Sequence, residues 1–211
     1  DGVLLWQEIC GDTLPVLDHQ GNILCGDKGR GWLLALSPEG EKLWELDWRK
    51  HLVGGPTVTQ QGLVMVHLGK TSTGLLLALN GRGEEVWRFR YPVQDKGFYT
   101  NIAMGPDGTL YVGGSSVEEE HPQKLLTWAF SPDGEVLWTT DKVRGDIVVD
   151  ANGNLYTSGK LQALTAGGDT LWEIEDPDWG FSSPGAIGQN GALYVGSIHG
   201  MVYAFRDPQD P

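Results

Sequence analysis

Basic residues are scarce in this chain. Fifteen lysines and arginines stand against 28 aspartates and glutamates, giving a formal net charge of −13. A phosphate backbone is held by clustered cations, and the longest basic cluster is Arg49, Lys50 and His51, so the composition argues against nucleic acid. The same acidity disfavours an anionic membrane surface. No run of about 18 apolar residues occurs, which excludes a transmembrane helix and membrane insertion by that route. The opening DGVLLWQEICGD lacks the basic flank and apolar core of a signal peptide and reads as a mature or trimmed terminus. Cysteine is limited to Cys10 and Cys25, too few for a disulfide framework and in no metal-type spacing. One bridge and two buried free thiols are both open readings. Helical periodicity is missing throughout, so helix should be nearly absent. There is no nucleophile elbow, Gly-rich phosphate loop or HExxH sequence.

Repetition is what the chain does contain. Four ten-residue phrases end in tryptophan: ALSPEGEKLW (35–44), ALNGRGEEVW (78–87), AFSPDGEVLW (129–138) and ALTAGGDTLW (163–172). Trp6, Trp44, Trp87, Trp138 and Trp172 recur at spacings of 38, 43, 51 and 34 residues. A second phrase precedes each of these, as in PDGTLYVGG (106–114) and ANGNLYTSG (151–159). Asp-Gly or Asn-Gly leading into β-branched and aromatic residues is a hairpin signal, because Gly supplies the positive φ of a tight turn. Each unit therefore reads as a four-stranded antiparallel meander. Such a meander cannot bury both faces alone, so copies must stack, and stacked around an axis they make a β-propeller.

The expected architecture is all-β: a five-bladed propeller of four-stranded antiparallel blades in one domain over 1–211. The blades fall at about 7–44, 45–87, 88–138, 139–172 and 173–211, the last closed by residues 1–6. From Trp172 to the end and on to Trp6 is 45 residues, a normal blade length, so residues 3–6 are expected to complete the last blade and remove its exposed edge. The repeated tryptophans are assigned to structure, lying across the gap between blades on the neighbouring turn. Each buries roughly 150–250 Å², about 4–6 kcal/mol at ~25 cal/mol per Å² before entropic losses.

The phrase ending Gly-x-x-x-Trp, with its preceding Leu-Tyr strand, resembles the repeat of PQQ-type (quinoprotein alcohol dehydrogenase-like) β-propellers, a group that includes outer-membrane assembly propeller lipoproteins. The resemblance spans essentially the whole chain. Quinoprotein dehydrogenases of that kind have eight blades, pyrroloquinoline quinone, Ca²⁺ and an adjacent-cysteine disulfide. Five repeats and separated cysteines disfavour PQQ and Ca²⁺ here, and no cofactor is expected. The resemblance also tilts the setting towards extracytoplasmic, periplasmic or secreted.

Ligands of propellers usually meet the end formed by the loops entering the innermost strands and the loops between second and third strands. The entering loops are 7–15, 45–57, 88–101, 139–146 and 173–184; the others are about 26–31, 67–74, 113–124, 158–160 and 196–200. Elaborated loops at one end of a repeat scaffold are its default binding surface. Aromatics beside charges in these loops make Trp48, Arg49, His51, Tyr91, Phe98, Tyr99, Trp179 and Phe181 the candidate binding residues, since a ring face offers contact area at low entropic cost. The competing role of each ring is to cap the core at the loop base. His51, His67, His121 and His199 fall in the same loops without a local metal motif, and His19 lies in a turn at the other end. Glu118, Glu119 and Glu120 form an acidic knuckle. Asp12, Asp47, Asp95, Asp146 and Asp178 offer an axial carboxylate pair of the kind glycosidases use, with no catalytic constellation around them. These features point to a non-catalytic scaffold that binds a protein or peptide. The alternative is a small-ligand or glycan-binding or glycan-cleaving propeller with its site at the axial mouth, and either fits a section of a longer polypeptide.

Overall fold

The computed structural model describes residues 2–48, 52–69, 74–91, 99–116, 124–143, 145–158, 161–174 and 185–206. Every regular element among them is a strand. The first sheet runs β1 (Val16–Leu17), β2 (Ile23–Asp27), β3 (Trp32–Leu36), β4 (Lys42–Asp47) in simple order. In the second, β7 (Val64–Gly69), β8 (Leu75–Leu79) and β9 (Glu85–Arg90) follow a first strand split into β5 (Leu52–Val53) and β6 (Thr57–Val58), both paired to β7. Gly54, Gly55 and Pro56 lie between the two halves, and a proline without an N–H cannot donate to the ladder. The third sheet is β10 (Tyr99–Met104), β11 (Leu110–Ser116), β12 (Lys124–Phe130), β13 (Val136–Thr140). The fourth is β14 (Ile147–Val149), β15 (Leu155–Thr157), β16 (Gln162–Leu164), β17 (Thr170–Glu173), and the fifth is β18 (Ala186–Ile187), β19 (Leu193–Gly196), β20 (Val202–Phe205). All pairs are antiparallel meanders, as the doubled hairpin signals require. The chain divides into two compact units, one holding the first two sheets and the other the last three.

Nine turns at one end of the sheets share one hydrogen-bond pattern. In the turn from Ser37, its N–H donates to Glu41 O, and Gly40 N–H donates back to Ser37 O. The same pair of bonds recurs in the turns that start at Asp18, Thr59, Asn80, Gly105, Ser131, Asp150, Thr165 and Gly188. This is the hairpin loop in which a left-handed residue follows a type I turn, and the glycine supplies that conformation. Side chains complete it. Asp150 Oδ1 accepts from the backbone N–H of Asn152 and Asn154, as Asp18 Oδ1 does from Gln20 and Asn22. Thr109 N–H donates to Asp107, which holds that carboxyl below its usual range.

The repeated tryptophans lie on these turns. Trp44 donates its Nε1–H to Gly81 O at 2.9 Å, Trp138 to Ala166 O at 2.9 Å and Trp6 to Pro38 O at 2.9 Å. Each ring covers the glycine two residues further on: a Cβ on Gly83 would sit 2.9 Å from Trp44, and one on Gly40 2.7 Å from Trp6. The glycine five places after the alanine is thus required twice, by its positive φ and by the indole over it. Trp172 packs beside Tyr156 and Phe205. Its Nε1 is the buried side-chain polar atom without a hydrogen-bond partner among the described residues.

Packing repeats with the sequence. Leu24, Leu33 and Ala35 of the first sheet meet Val64, Val66, Leu77 and Leu79 of the second. In the other unit Tyr111 and Ala129 meet Ile147, Leu155 and Leu164, and Tyr156, Leu161 and Ala163 meet Leu193 and Val195.

Two expectations about the start of the chain are modified. Residues 3–6 form no strand, and the fifth sheet has three strands among the described residues. The segment that follows is instead tied to the first sheet. Cys10 and Cys25 are joined by a disulfide, which decides between the two readings of the cysteines. Asp12 and Thr13 N–H both donate to Gly26 O, and Gly26 N–H donates to Thr13 Oγ1 at 2.7 Å. The bridge spans 15 residues, a loop whose closure restricts the unfolded chain by about 3 kcal/mol. Cys10→Ser/Cys25→Ser should lower unfolding free energy by about that amount, read from urea unfolding. A change within error would show that the hydrogen bonds alone hold the segment.

Candidate functional site

The opposite end of the sheets varies among the described residues, although the turn from Ser197 there repeats the same pair of bonds, Ser197 N–H to Met201 O and Gly200 N–H to Ser197 O. In the first repeat, the turn after β2 folds on Asp27: its Oδ1 accepts Arg30 N–H at 2.7 Å, and its carbonyl accepts Gly31 N–H at 2.7 Å. Asp12 locks the same turn from the entering loop, accepting Lys28 N–H on Oδ1 at 2.7 Å. Lys28 and Arg30 are thereby displayed on a fixed backbone, both exposed, with Arg30 loosely paired to Asp27 at 3.8 Å. Trp48 joins this edge through its N–H, which donates to Gly31 O at 2.8 Å. Its ring is partly buried against the core between the first two sheets. The Trp48 ring packs on the face of Leu24, Leu33 and Ala35, whereas Arg30 borders a groove over Trp32, Leu34 and Leu36 on the other face of the sheet, so the edge displays its two cations on a fixed turn with the aromatic held inside.

In the second repeat the described residues beside the loops hold a buried pair, His67 and Tyr91. Tyr91 is 3% exposed and its hydroxyl lies 3.1 Å from His67 Nε2. His67 stands inside β7, not in a loop, and burial pushes its pKa down to about 3, so the imidazole is neutral. Here the capping role of an aromatic at the loop base prevails over the exposed platform. The sequence reading put His67 at the start of a loop, whereas β7 extends past it to Gly69.

In the third and fourth repeats the entering strands are clasped by Asn101. Its Nδ2 donates to Ile147 O at 3.0 Å and its Oδ1 accepts Ile147 N–H at 3.1 Å. Asp146 Oδ1 accepts Asn101 N–H at 3.2 Å. Two carboxylates suggested for an axial pair, Asp12 and Asp146, are thus engaged by local backbone donors. Sequence reasoning overlooked Asn101; a short amide at the start of an inner strand, flanked by β-forming residues, was the available signal.

Of the remaining candidates, Tyr99 lies in β10 opposite Gly114. His19 and His199 are exposed turn residues and Asp47 ends β4. Arg49, His51, Phe98, Trp179 and Phe181 lie outside the described residues, as do Asp95, Asp178, His121 and the knuckle Glu118 to Glu120. Among the described residues no three His, Cys, Asp or Glu side chains converge as metal ligands, and no helix is long and apolar enough to cross a membrane.

Sheets of this order, glycine turns under tryptophans and conserved inter-sheet packing within the chain define a β-propeller of PQQ-type repeats. Residues 29–141, just over half of the chain, match the family described as outer membrane protein assembly factor BamB, and the chain belongs to that family. Comparison with curated proteins gives no match. Among solved structures, the chain is similar to virginiamycin B lyase from Staphylococcus aureus, at 15% identity and TM-score 0.63, over 95% of this chain and 71% of that one. It is similar to the C-terminal WD40 domain of Sif2 at 16% identity and TM-score 0.65, over 94% of this chain and 56% of that one. A protein of unknown function from Bacteroides caccae gives 17% identity and TM-score 0.57, over 90% and 70%. At such identities the likeness concerns the fold.

Proposed function

We propose that this chain is a non-catalytic propeller scaffold that binds a protein or peptide partner through the loop-bearing end of its sheets, in an extracytoplasmic compartment. One observation carries the reading: the asymmetry between the two ends. At one end, nine turns spend their backbone and side-chain polar groups on one another. At the other, the described residues vary from repeat to repeat, and the first holds Lys28 and Arg30 on a turn locked by Asp12 and Asp27, to which Trp48 N–H is bonded through Gly31 O. Preorganised cationic side chains bind at reduced entropic cost. The family match, to an assembly factor, supports a protein partner. A similar propeller is known in complex with a protein, in the structure of BBS1N with ARL6DN. The intramolecular disulfide supports an oxidising compartment.

Selection of a displayed random peptide library on the immobilised chain tests the reading. Enriched peptides are expected, and Trp48→Ala with Lys28→Glu and Arg30→Glu should weaken them at least about tenfold while circular dichroism stays unchanged. No enrichment, or peptides indifferent to the triple variant, would remove the proposal.

A further inference from the structure

The disulfide lies beside the turn that displays Lys28 and Arg30. Cys10 stands two residues before Asp12, and Cys25 three before Lys28. Four hydrogen bonds join the two short segments: Asp12 and Thr13 N–H to Gly26 O, Gly26 N–H to Thr13 Oγ1, and Lys28 N–H to Asp12 Oδ1. Gly11 lies flat against β2. Its φ is 77°, and a Cβ there would fall 2.3 Å from Gly26 O and 2.7 Å from Asp27 Cβ. Only glycine allows two backbones to meet this closely.

Little else holds residues 10–13 down. Before them, residues 2–9 form no strand, and Val3, Leu4, Leu5 and Ile9 are exposed, with Trp6 anchored on Pro38 O. After them Leu14 is exposed, and ladder pairing starts at Val16. Four hydrogen bonds roughly offset the conformational entropy of ordering as many residues, so covalent closure decides whether the segment stays seated. The turn after β2 is different. Arg30 N–H on Asp27 Oδ1 and Gly31 N–H on Asp27 O close it locally, without the entering segment.

We propose that the Cys10–Cys25 bridge is a redox-operated clasp on this turn, opened by a dithiol reductant. A thiolate of the dithiol attacks Cys10 Sγ, because Cys10 is partly exposed and Cys25 is fully buried. The S–S bond breaks, and Cys25 leaves as a thiolate and takes up a proton. The second thiol of the reductant then displaces Cys10 from the mixed disulfide. Two electrons have passed to the protein, which ends as two thiols, and the reductant ends as a disulfide. Residues 10–13 then lift from β2, and Asp12 withdraws from Lys28 N–H. Lys28 loses its fixed backbone, while Arg30 keeps its bond to Asp27. Reoxidation restores the clasp. Its regulatory consequence rests on the binding edge proposed above; its mechanics do not.

Amide exchange at single-residue resolution, with and without dithiothreitol, tests the clasp, and thiol titration establishes when both cysteines are free. On reduction, exchange at Asp12, Thr13, Gly26 and Lys28 should quicken at least about tenfold. Arg30, Gly31 and the ladder between β2 and β3 should keep their protection. Cys10→Ser/Cys25→Ser should show the reduced pattern without reductant. Asp12→Ala, with the bridge closed, should free Lys28 N–H while Gly26 N–H stays protected. Three results would each overturn the proposal: a bridge that dithiothreitol leaves closed in the folded chain, unchanged exchange at those four amides, or protection lost throughout β2 and β3. A peptide selected on the oxidised chain should bind at least about tenfold more weakly after reduction. Full affinity with the four amides released would overturn the regulation. If no peptide is enriched, the binding reading fails, and the amide exchange still decides the clasp.

Discussion

Trp44→Ala is expected to lower the free energy of unfolding by about 3 kcal/mol. The indole covers Gly83, donates to Gly81 O at 2.9 Å and packs on the core between the first two sheets. Full burial of a tryptophan would give about 4–6 kcal/mol from area alone. Trp44 is only partly buried, which brings the expected loss down, while truncation also leaves the Gly81 carbonyl to water. Gly83→Ala should act on the same contact from the other side. Its φ of 78° disfavours a side chain, and a Cβ there meets the ring at 2.9 Å, costing at least 1–2 kcal/mol. Because both changes disrupt one stacked pair, the double variant should lose less than the sum of the singles. Urea unfolding of the four proteins measures this, and strict additivity would contradict the assigned contact.

Acid should destabilise the unit that holds His67 far more than an exposed histidine would. Its folded pKa of about 3 lies below the ordinary 6.5, because burial disfavours the imidazolium. Between those values the unfolded chain binds more protons at this site than the folded one. The contribution is therefore complete above pH 6.5 and is lost as pH falls toward 3. At pH 4 the loss from this group is roughly 3 kcal/mol. His67→Leu combined with Tyr91→Phe removes both partners of the 3.1 Å contact, which avoids an orphaned hydroxyl. The stability difference between pH 8 and pH 4 should shrink in that variant by roughly the same 3 kcal/mol. An unaltered pH slope would show that the imidazole is solvated.

Much of the fold was legible because the repeat states it several times. Glycine five residues after alanine reports a turn, and tryptophan four after that glycine reports a ring that covers the same turn of the next repeat, as Trp44 covers Gly83. What proved hard to read depends on one copy only. The tether of residues 10–13 to the first sheet rests on one disulfide, two backbone bonds to Gly26 O and one bond from Gly26 N–H to the Thr13 hydroxyl, which no periodicity encodes. His67 and Tyr91 look like loop residues by polarity, yet their hydrogen bond makes a buried pair of them. For the proposed site, the sequence offers loop lengths that set one end of the sheets apart from the other. The geometry of that site is set by Asp12 and Asp27 gripping one turn, a long-range arrangement that sequence spacing does not display.

The central claim is that the stereotyped end of the sheets is structural and the varied end binds. Hydrogen–deuterium exchange with and without a selected peptide tests it most directly. Protection is expected at 26–31 and 45–48, with the turns at 18–22, 37–41, 80–84 and 165–169 unchanged. Protection at those turns, with none at 26–31 or 45–48, would contradict the account.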